Sequence, residues 1–504
     1  MTELSWNAAR AAAERVASGW EAGAPGGAIV GFTAQGPQFA AAGGLASLAS
    51  RAPFTPDTIV RYASVTKHVF ASFVLAHPET ISLDDPLGHH LPELQPALGQ
   101  ITVGRALDMS GGVPDTRECL TLIGLSIFTE TKAEPLLAFH AGMERANYPA
   151  GTEVHYSNGG YRLVEEAMRR HGLLFDDFVA SEIREGLGLK MRALEMWTDP
   201  VEGLVPGYWH DGQGWRVGLQ GMHLSAAGSL TGSANALAGW GAALLRGEGG
   251  FAGRLSGLTA RRHLADGRPT GYGLGMRRQM VGTRELVGHG GSQPGYKTYI
   301  LLDPETGAGC VVVANRDDTN TSEAAQKVMA ALLGEALPQA GSTLVPGLYV
   351  AETGADWMEV GPSTAARLDD EVTLYPAGDG WVDSLSPTSH LRLRMEGKAV
   401  VGEAGHVPVR YLPVRGGLSV PEDLEGEWRS PEFGAVLSIR GGAVEMGAGP
   451  TRRAMPLTPL GEGRYLFTLN DGPWTRRICL NRLGADRFEL ALSRARMIEC
   501  RRMA

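Results

Sequence analysis

Short apolar runs bracket a helix-patterned middle over roughly the first two thirds of the chain. "GAIVGFTAQGPQFAAAGG" (27–44) predicts two strands around a polar turn, and "KTYILLDPETGAGCVVVANR" (297–316) predicts a hairpin turned by Asp303, Pro304 and Gly307. Between them, apolar residues recur at helical spacing over 66–77, 159–170, 174–187 and 233–246. "TSEAAQKVMAALLGEAL" (321–337) predicts a closing amphipathic helix able to lie on a sheet. The pattern implies an α/β (α+β) domain whose terminal strands meet.

The pattern changes after "PQAGSTLVPG" (338–347), which has linker composition. Beyond it the helical period nearly vanishes, and runs such as "GLYVAE", "VTLYPA", "LRLRME" and "VPVRYLPV" alternate with Gly, Asp and Pro turns. "PGLYVAETGADWMEV" at 346 and "EGEWRSPEFGAVLSI" at 425 share a glycine, an aromatic, a turn and an apolar strand. This echo predicts two related antiparallel β-barrels, 342–416 and 421–504, after a catalytic-type domain of 1–337. A single larger all-β domain is the alternative.

Composition narrows the function classes. At 504 residues the chain exceeds one core, so several domains are expected. A net charge of −9 argues against a nucleic-acid partner. The N-terminal twenty residues carry charges too closely spaced for a secretory signal, and no run reaches the length of a membrane span, so a cytoplasmic location and no membrane partner are expected. The four cysteines are far apart and the thirteen histidines are scattered, so neither a metal nor any other cofactor is expected.

Three stretches carry chemistry. In "YASVTKHVFASFVLAH" (62–77), Lys67 lies one helical turn after Ser64. A helix starting near Ser64 puts both side chains on one face, where a desolvated amine can take the hydroxyl proton. The apolar run after Lys67 points to a buried helix, in which an idle lysine would be costly. In "PAGTEVHYSNGGYRLVEEAMRR" (149–170), Tyr156 offers a proton shuttle and Asn158 an amide contact for substrate. Ser157 or Asn158 as a plain helix N-cap is the competing reading. In "VGHGGSQPGYKTYILL" (287–302), Gly290 and Gly291 allow close approach to a strand edge, and the Ser292 N–H can serve an oxyanion. A glycine turn with an incidental His289 is its competitor.

Together and in this order, Ser-x-x-Lys, Tyr-x-Asn and His-x-Gly resemble the motifs of the penicillin-recognising serine hydrolases, which include serine β-lactamases and D,D-peptidases. The resemblance covers about residues 10–335. It implies a β-lactamase-like fold with an antiparallel sheet, flanking helices and a helical subdomain. It also implies Ser64 as the acylated nucleophile, Lys67 as its base, Tyr156 as the shuttle, Asn158 as a substrate contact, and the Ser64 and Ser292 N–H groups as the oxyanion hole. His289 replaces the usual lysine of the third motif and, with a reference pKa near 6.5, is mostly uncharged at pH 7. That departure favours members that do not hold a substrate carboxylate.

With two β-barrels added, the chain is similar to the bacterial D-aminopeptidase family, which releases N-terminal D-residues from peptides, amides and esters. That similarity implies a loop from the last barrel offering a carboxylate to the substrate's ammonium group. Asp471, in "FTLNDGPWTRRICL" (467–480), is the candidate, with a plain hairpin turn as its competing reading. The expected partner is a small peptide or amino-acid amide with a free N-terminus, and the barrels offer a surface for a homodimer. An esterase, a D,D-carboxypeptidase or β-lactamase-like hydrolase, and a catalytically silent peptide-binding sensor are the alternatives.

Overall fold

The computed structural model describes residues 4–503, and the chain divides into two compact units. The first comprises residues up to Leu83, Tyr161–Arg262 and Pro269–Pro338. The second comprises Asp84–Gly160, His263–Arg268 and the rest from Gln339. The helical segment 84–160 therefore groups with the C-terminal sheets, although the sequence pattern joins it to the N-terminal region.

The first unit is built on a six-stranded antiparallel sheet. The sheet and the helices that frame the site are helix α1 (Trp6–Ala17), strands β1 (Gly27–Thr33) and β2 (Gly36–Gly43), helices α2 (Thr66–Val74) and α3 (Ala234–Arg246), strands β3 (Arg277–Val281), β4 (Arg284–Gln293), β5 (Tyr296–Asp303) and β6 (Ala308–Ala314), and helix α4 (Thr321–Leu333), with further short helices and strands between them. The strand order β2-β1-β6-β5-β4-β3 places the N-terminal hairpin against the last strand, so the terminal strands meet as expected.

Strand β6 is buried along its whole length, which its Val311-Val312-Val313 run permits. One face packs Ile29, Leu301 and Val312 against Ala9, Ala12 and Ala13 of α1 and against Val328 and Met329 of α4. Small alanines let α1 approach closely.

Element ends follow local chemistry. Helix α2 stops at Val74, short of the predicted 77: Pro78 has no N–H to give the Val74 carbonyl, which instead accepts from the His77 N–H at 3.0 Å in a tighter turn. Helix α4 stops at Leu333 because Gly334 takes the left-handed cap, φ 69°. The helix expected over 174–187 is a short α-helix, Phe175–Phe178, continued as a π-helical turn through Glu185. Phe175 and Phe178 anchor that first turn on Phe70 and Phe73.

In the second unit, two nine-stranded, nearly closed antiparallel sheets follow one another, spanning 347–413 and 426–502. Their strand orders are identical once renumbered, and in each the opening strand (Gly347–Ala351, Gly426–Arg429) pairs with the closing one (Val407–Pro413, Ala495–Arg502). The sequence echo at 346 and 425 is thus a structural repeat. Val350, Trp357 and Leu368 of the first barrel share an apolar cluster with Leu460, Leu466 and Cys479 of the second. Among the described residues no helix is long and apolar enough to cross a membrane.

Candidate active site

Ser64 lies in one turn of 3₁₀-helix, Ala63–Val65, that leads into α2. Ala63 has φ 50°, a left-handed conformation that costs a non-glycine residue about 1–3 kcal/mol and persists only where its surroundings enforce it. They do. The Tyr62 N–H donates to the Leu230 carbonyl at 2.8 Å, the Tyr62 hydroxyl donates to the Ser233 carbonyl at 2.6 Å, and the Thr298 hydroxyl donates to the Tyr62 carbonyl at 2.7 Å. The Thr66 hydroxyl closes the turn onto the Ala63 carbonyl at 2.6 Å.

All nine residues of α2 are buried, Lys67 among them. Its Nζ donates to the Ala227 carbonyl at 2.7 Å and to Ser64 Oγ at 3.1 Å, and it lies 5.3 Å from the centre of the Tyr161 ring. A buried ammonium is costly without partners, and here a backbone carbonyl and an aromatic face supply them. Next in sequence, His68 Nε2 accepts from the Trp240 indole N–H at 2.9 Å, and burial drops its pKa to about 3. It is neutral.

Strand β4 brings the third motif to this turn. Its ladder with β3 ends at Gly288, whereas on the other side it pairs with β5 as far as Gln293. Residues 289–293 thus form a strand edge past the end of β3. Gly291 lies against the Ser64 turn: a Cβ there would stand 2.0 Å from the Tyr62 carbonyl oxygen and 2.3 Å from Thr298 Oγ1. Strand alternation gives His289 the same face as Gly291. The Ser292 and Lys297 side chains, bonded at 2.8 Å, lie on the opposite face.

His289 is fully buried, with Nδ1 on the Gly290 carbonyl at 2.6 Å and Nε2 on the Tyr272 hydroxyl at 2.9 Å. A carbonyl can only accept, so Nδ1 carries the proton and Nε2 accepts from the tyrosine. Burial, with Arg277, Lys67 and His68 as further contributors, holds its pKa well below the usual value. The position thus presents a neutral ring, as the sequence predicts, and both ring nitrogens are occupied.

Tyr156 and Asn158 belong to the second unit. The Asp115 carboxylate accepts from the Asn158 backbone N–H at 2.9 Å and from its side-chain amide at 2.7 Å, while its other oxygen caps the helix at Thr116. Asn158 is thereby oriented, and Ser157 accepts from the Gly159 N–H at 3.1 Å. The Tyr156 ring is buried beneath the Arg494 guanidinium, 4.7 Å from its centre.

Arg494 is close to Asp370 and Glu118, and its backbone N–H donates to Glu118 at 2.7 Å. Burial raises Glu118 to about 7 despite the opposing pull of Arg494. Beside Tyr156, His155 is kept neutral by burial and by Arg496, Arg367 and Arg494.

Asp471 closes a hairpin in the second barrel, paired with Trp474. It is buried, and its carboxylate accepts from the Ser126 hydroxyl at 2.6 Å, from the Ile127 N–H at 2.5 Å and from Arg453 at 3.0 Å. These contacts tie the hairpin to the 126–127 turn.

Several partners found here are absent from the sequence reading: Ala227, Tyr161 and Tyr272 in the first unit, and Asp115, Glu118 and Arg494 in the second. Each is remote in sequence from the motif it serves, and only the small-residue run 225–229 hints at a close approach.

The Beta-lactamase family profile matches residues 8–335. A D-aminopeptidase of Brucella melitensis biotype 2 is 26% identical over 427 residues, 80% of this chain and 79% of that protein. A D-aminopeptidase of Cereibacter sphaeroides is 26% identical over 491 residues, 90% of this chain and 91% of that one. The D-amino acid amidase of Ochrobactrum anthropi SV3, solved with D-phenylalanine, superposes with a TM-score of 0.53 at 22% identity, covering 65% of this chain and 98% of that chain.

Proposed function

The chain belongs to the beta-lactamase family, and on that footing we propose that it is a serine hydrolase that removes N-terminal D-amino acids from short peptides, amides or esters. The observation that carries this reading is His289. A neutral, fully engaged imidazole stands where a permanent cation would anchor a substrate's terminal carboxylate. Substrates without that carboxylate are then favoured, and two long-range relatives are named for cleaving D-residues.

In this mechanism Lys67 acts from its neutral amine form: Ser64 Oγ attacks the substrate carbonyl and its proton passes to the Lys67 Nζ lone pair across the 3.1 Å contact. Tyr156 relays the proton to the leaving amine, Asn158 holds the substrate amide, and the Ser64 and Ser292 N–H groups receive the oxyanion. Water then releases the D-amino acid from Ser64.

Asp471 is the proposed partner of the substrate ammonium, a role it would share with its contacts to Ser126, Ile127 and Arg453. A panel of D- and L-aminoacyl p-nitroanilides, free and N-acetylated, tests both points. Free D-substrates should lead in kcat/KM by at least about tenfold, or 1.4 kcal/mol, and preference for L- or acetylated substrates would overturn the reading. In Asp471→Asn the preference for free amines should fall, and an unchanged preference alongside a lowered Tm would leave Asp471 as an anchor only.

A further inference from the structure

The spacing of histidines predicts no metal, yet three metal-ligating side chains converge in the first barrel. His390 directly precedes the strand Leu391–Glu396, Glu403 lies on the neighbouring strand Ala399–Ala404, and His406 sits in the turn leading to Val407–Pro413. One ligand atom from each lies within 4.8 Å of the other two. We propose that His390, Glu403 and His406 form a binding site for a divalent cation of the Zn²⁺ class, with water completing the tetrahedron.

Two features favour a ligand over simple packing. Among the described residues, the buried atoms His390 Nδ1 and His406 Nε2 have no hydrogen-bond partner, an arrangement that normally demands explanation. His406 also has φ 71° in the two-residue turn Gly405-His406, between paired Ala404 and Val407. Turns of this kind favour Asn or Gly at such a position, so histidine is held there at a cost.

The two rings stack 4.4 Å apart and 5° from parallel, and in the proposed site a rotation of both side chains would turn them onto a common ion. Zn–N and Zn–O bonds of about 2.0–2.2 Å put ligand atoms roughly 3.4 Å apart, within reach of that rotation. Two adjacent cations are matched by carboxylates, Arg268 by Asp266 at 2.7 Å and Arg392 by Asp383 at 3.8 Å, and Arg268 also donates to the His406 carbonyl at 2.7 Å. His390 also lines a small cavity with His155, Arg367, Asp370 and Ser389.

A bound ion would brace three segments of the barrel, with neutral imidazoles and one carboxylate as its ligands. The test uses the untagged full chain, stripped with chelator and titrated with ZnCl₂ by calorimetry, and CoCl₂ by visible absorption. One ion per chain, intense tetrahedral Co²⁺ bands and a Tm that rises with Zn²⁺ are expected. His406→Asn, which suits the left-handed turn, and Glu403→Gln should each weaken Zn²⁺ binding at least about tenfold while the metal-free Tm stays at the parent value. The absence of stoichiometric binding at micromolar Zn²⁺, octahedral Co²⁺ bands, or undiminished binding in the double variant would overturn the site. Should the variants fold poorly, the Co²⁺ spectrum of the parent decides alone.

Discussion

The residues around Ser64 and those around Tyr156 hold buried polar groups by opposite means. Around Ser64 the partners are backbone carbonyls and neutral rings: Lys67 is held by the Ala227 carbonyl, and His68 and His289 are both kept uncharged. Around Tyr156 the partners are full charges, with Arg494, Arg496 and Arg367 set against Glu118, Glu153, Asp115 and Asp370. The first arrangement depends on where the backbone runs, and its two histidines stay neutral near pH 7. The second depends on charge balance, and one of its members titrates near 7.

The largest expected effect breaks the backbone side of this contrast. Gly291→Ala places a Cβ 2.0 Å from the Tyr62 carbonyl oxygen, so either β4 or the Ser64 turn must move. Overpacking of this kind costs about 1–3 kcal/mol. The variant should lose most of its activity and melt several degrees below the parent, whereas unchanged kinetics would mean that the Ser64 turn is not held by this strand.

The next effect tests the charged side. The folded pKa of Glu118, about 7, lies above the ordinary carboxyl value, so the fold prefers its proton. Its contribution to stability is complete below about pH 4.5 and is lost as pH rises through about 7. Glu118→Gln, which mimics the protonated form, should therefore be more stable than the parent at pH 8, by roughly 1–3 kcal/mol, and match it at pH 4.5. Melting curves at the two pH values check this, and a constant offset would show that Glu118 stays ionised.

The smallest effect returns to the neutral side. Tyr272→Phe removes the donor to His289 Nε2 and should cost about 1 kcal/mol. Urea unfolding measures it. A loss near zero would mean that the Tyr272 hydroxyl adds nothing to the hold on His289.

Much of the fold was legible because it is periodic: the hairpins at 27–43 and 296–314, the helices at 66, 159, 234 and 321, and the barrel repeat all repeat a two- or 3.6-residue pattern. Helix ends were less so, since Pro78 and Gly334 act locally and override the pattern. In the site, Ser64 and Lys67 could be paired because a helical turn brings residues three apart together. Ala227, Tyr272, Asp115 and Arg494 could not, because only the tertiary fold joins them to Lys67, His289, Asn158 and Tyr156 respectively. His390, Glu403 and His406 escaped for a related reason: a hairpin turn, rather than a metal-ligand spacing, brings them together.

Mass spectrometry of the enzyme during turnover tests the central claim most directly. The parent, quenched in acid while hydrolysing a D-aminoacyl ester, should carry one D-aminoacyl group, mapped to the peptide containing Ser64 and absent from Ser64→Ala, whose activity should fall by at least about 10³-fold. A Ser64→Ala variant that still turns over the ester at the parent rate, or an adduct on another residue, would contradict the account.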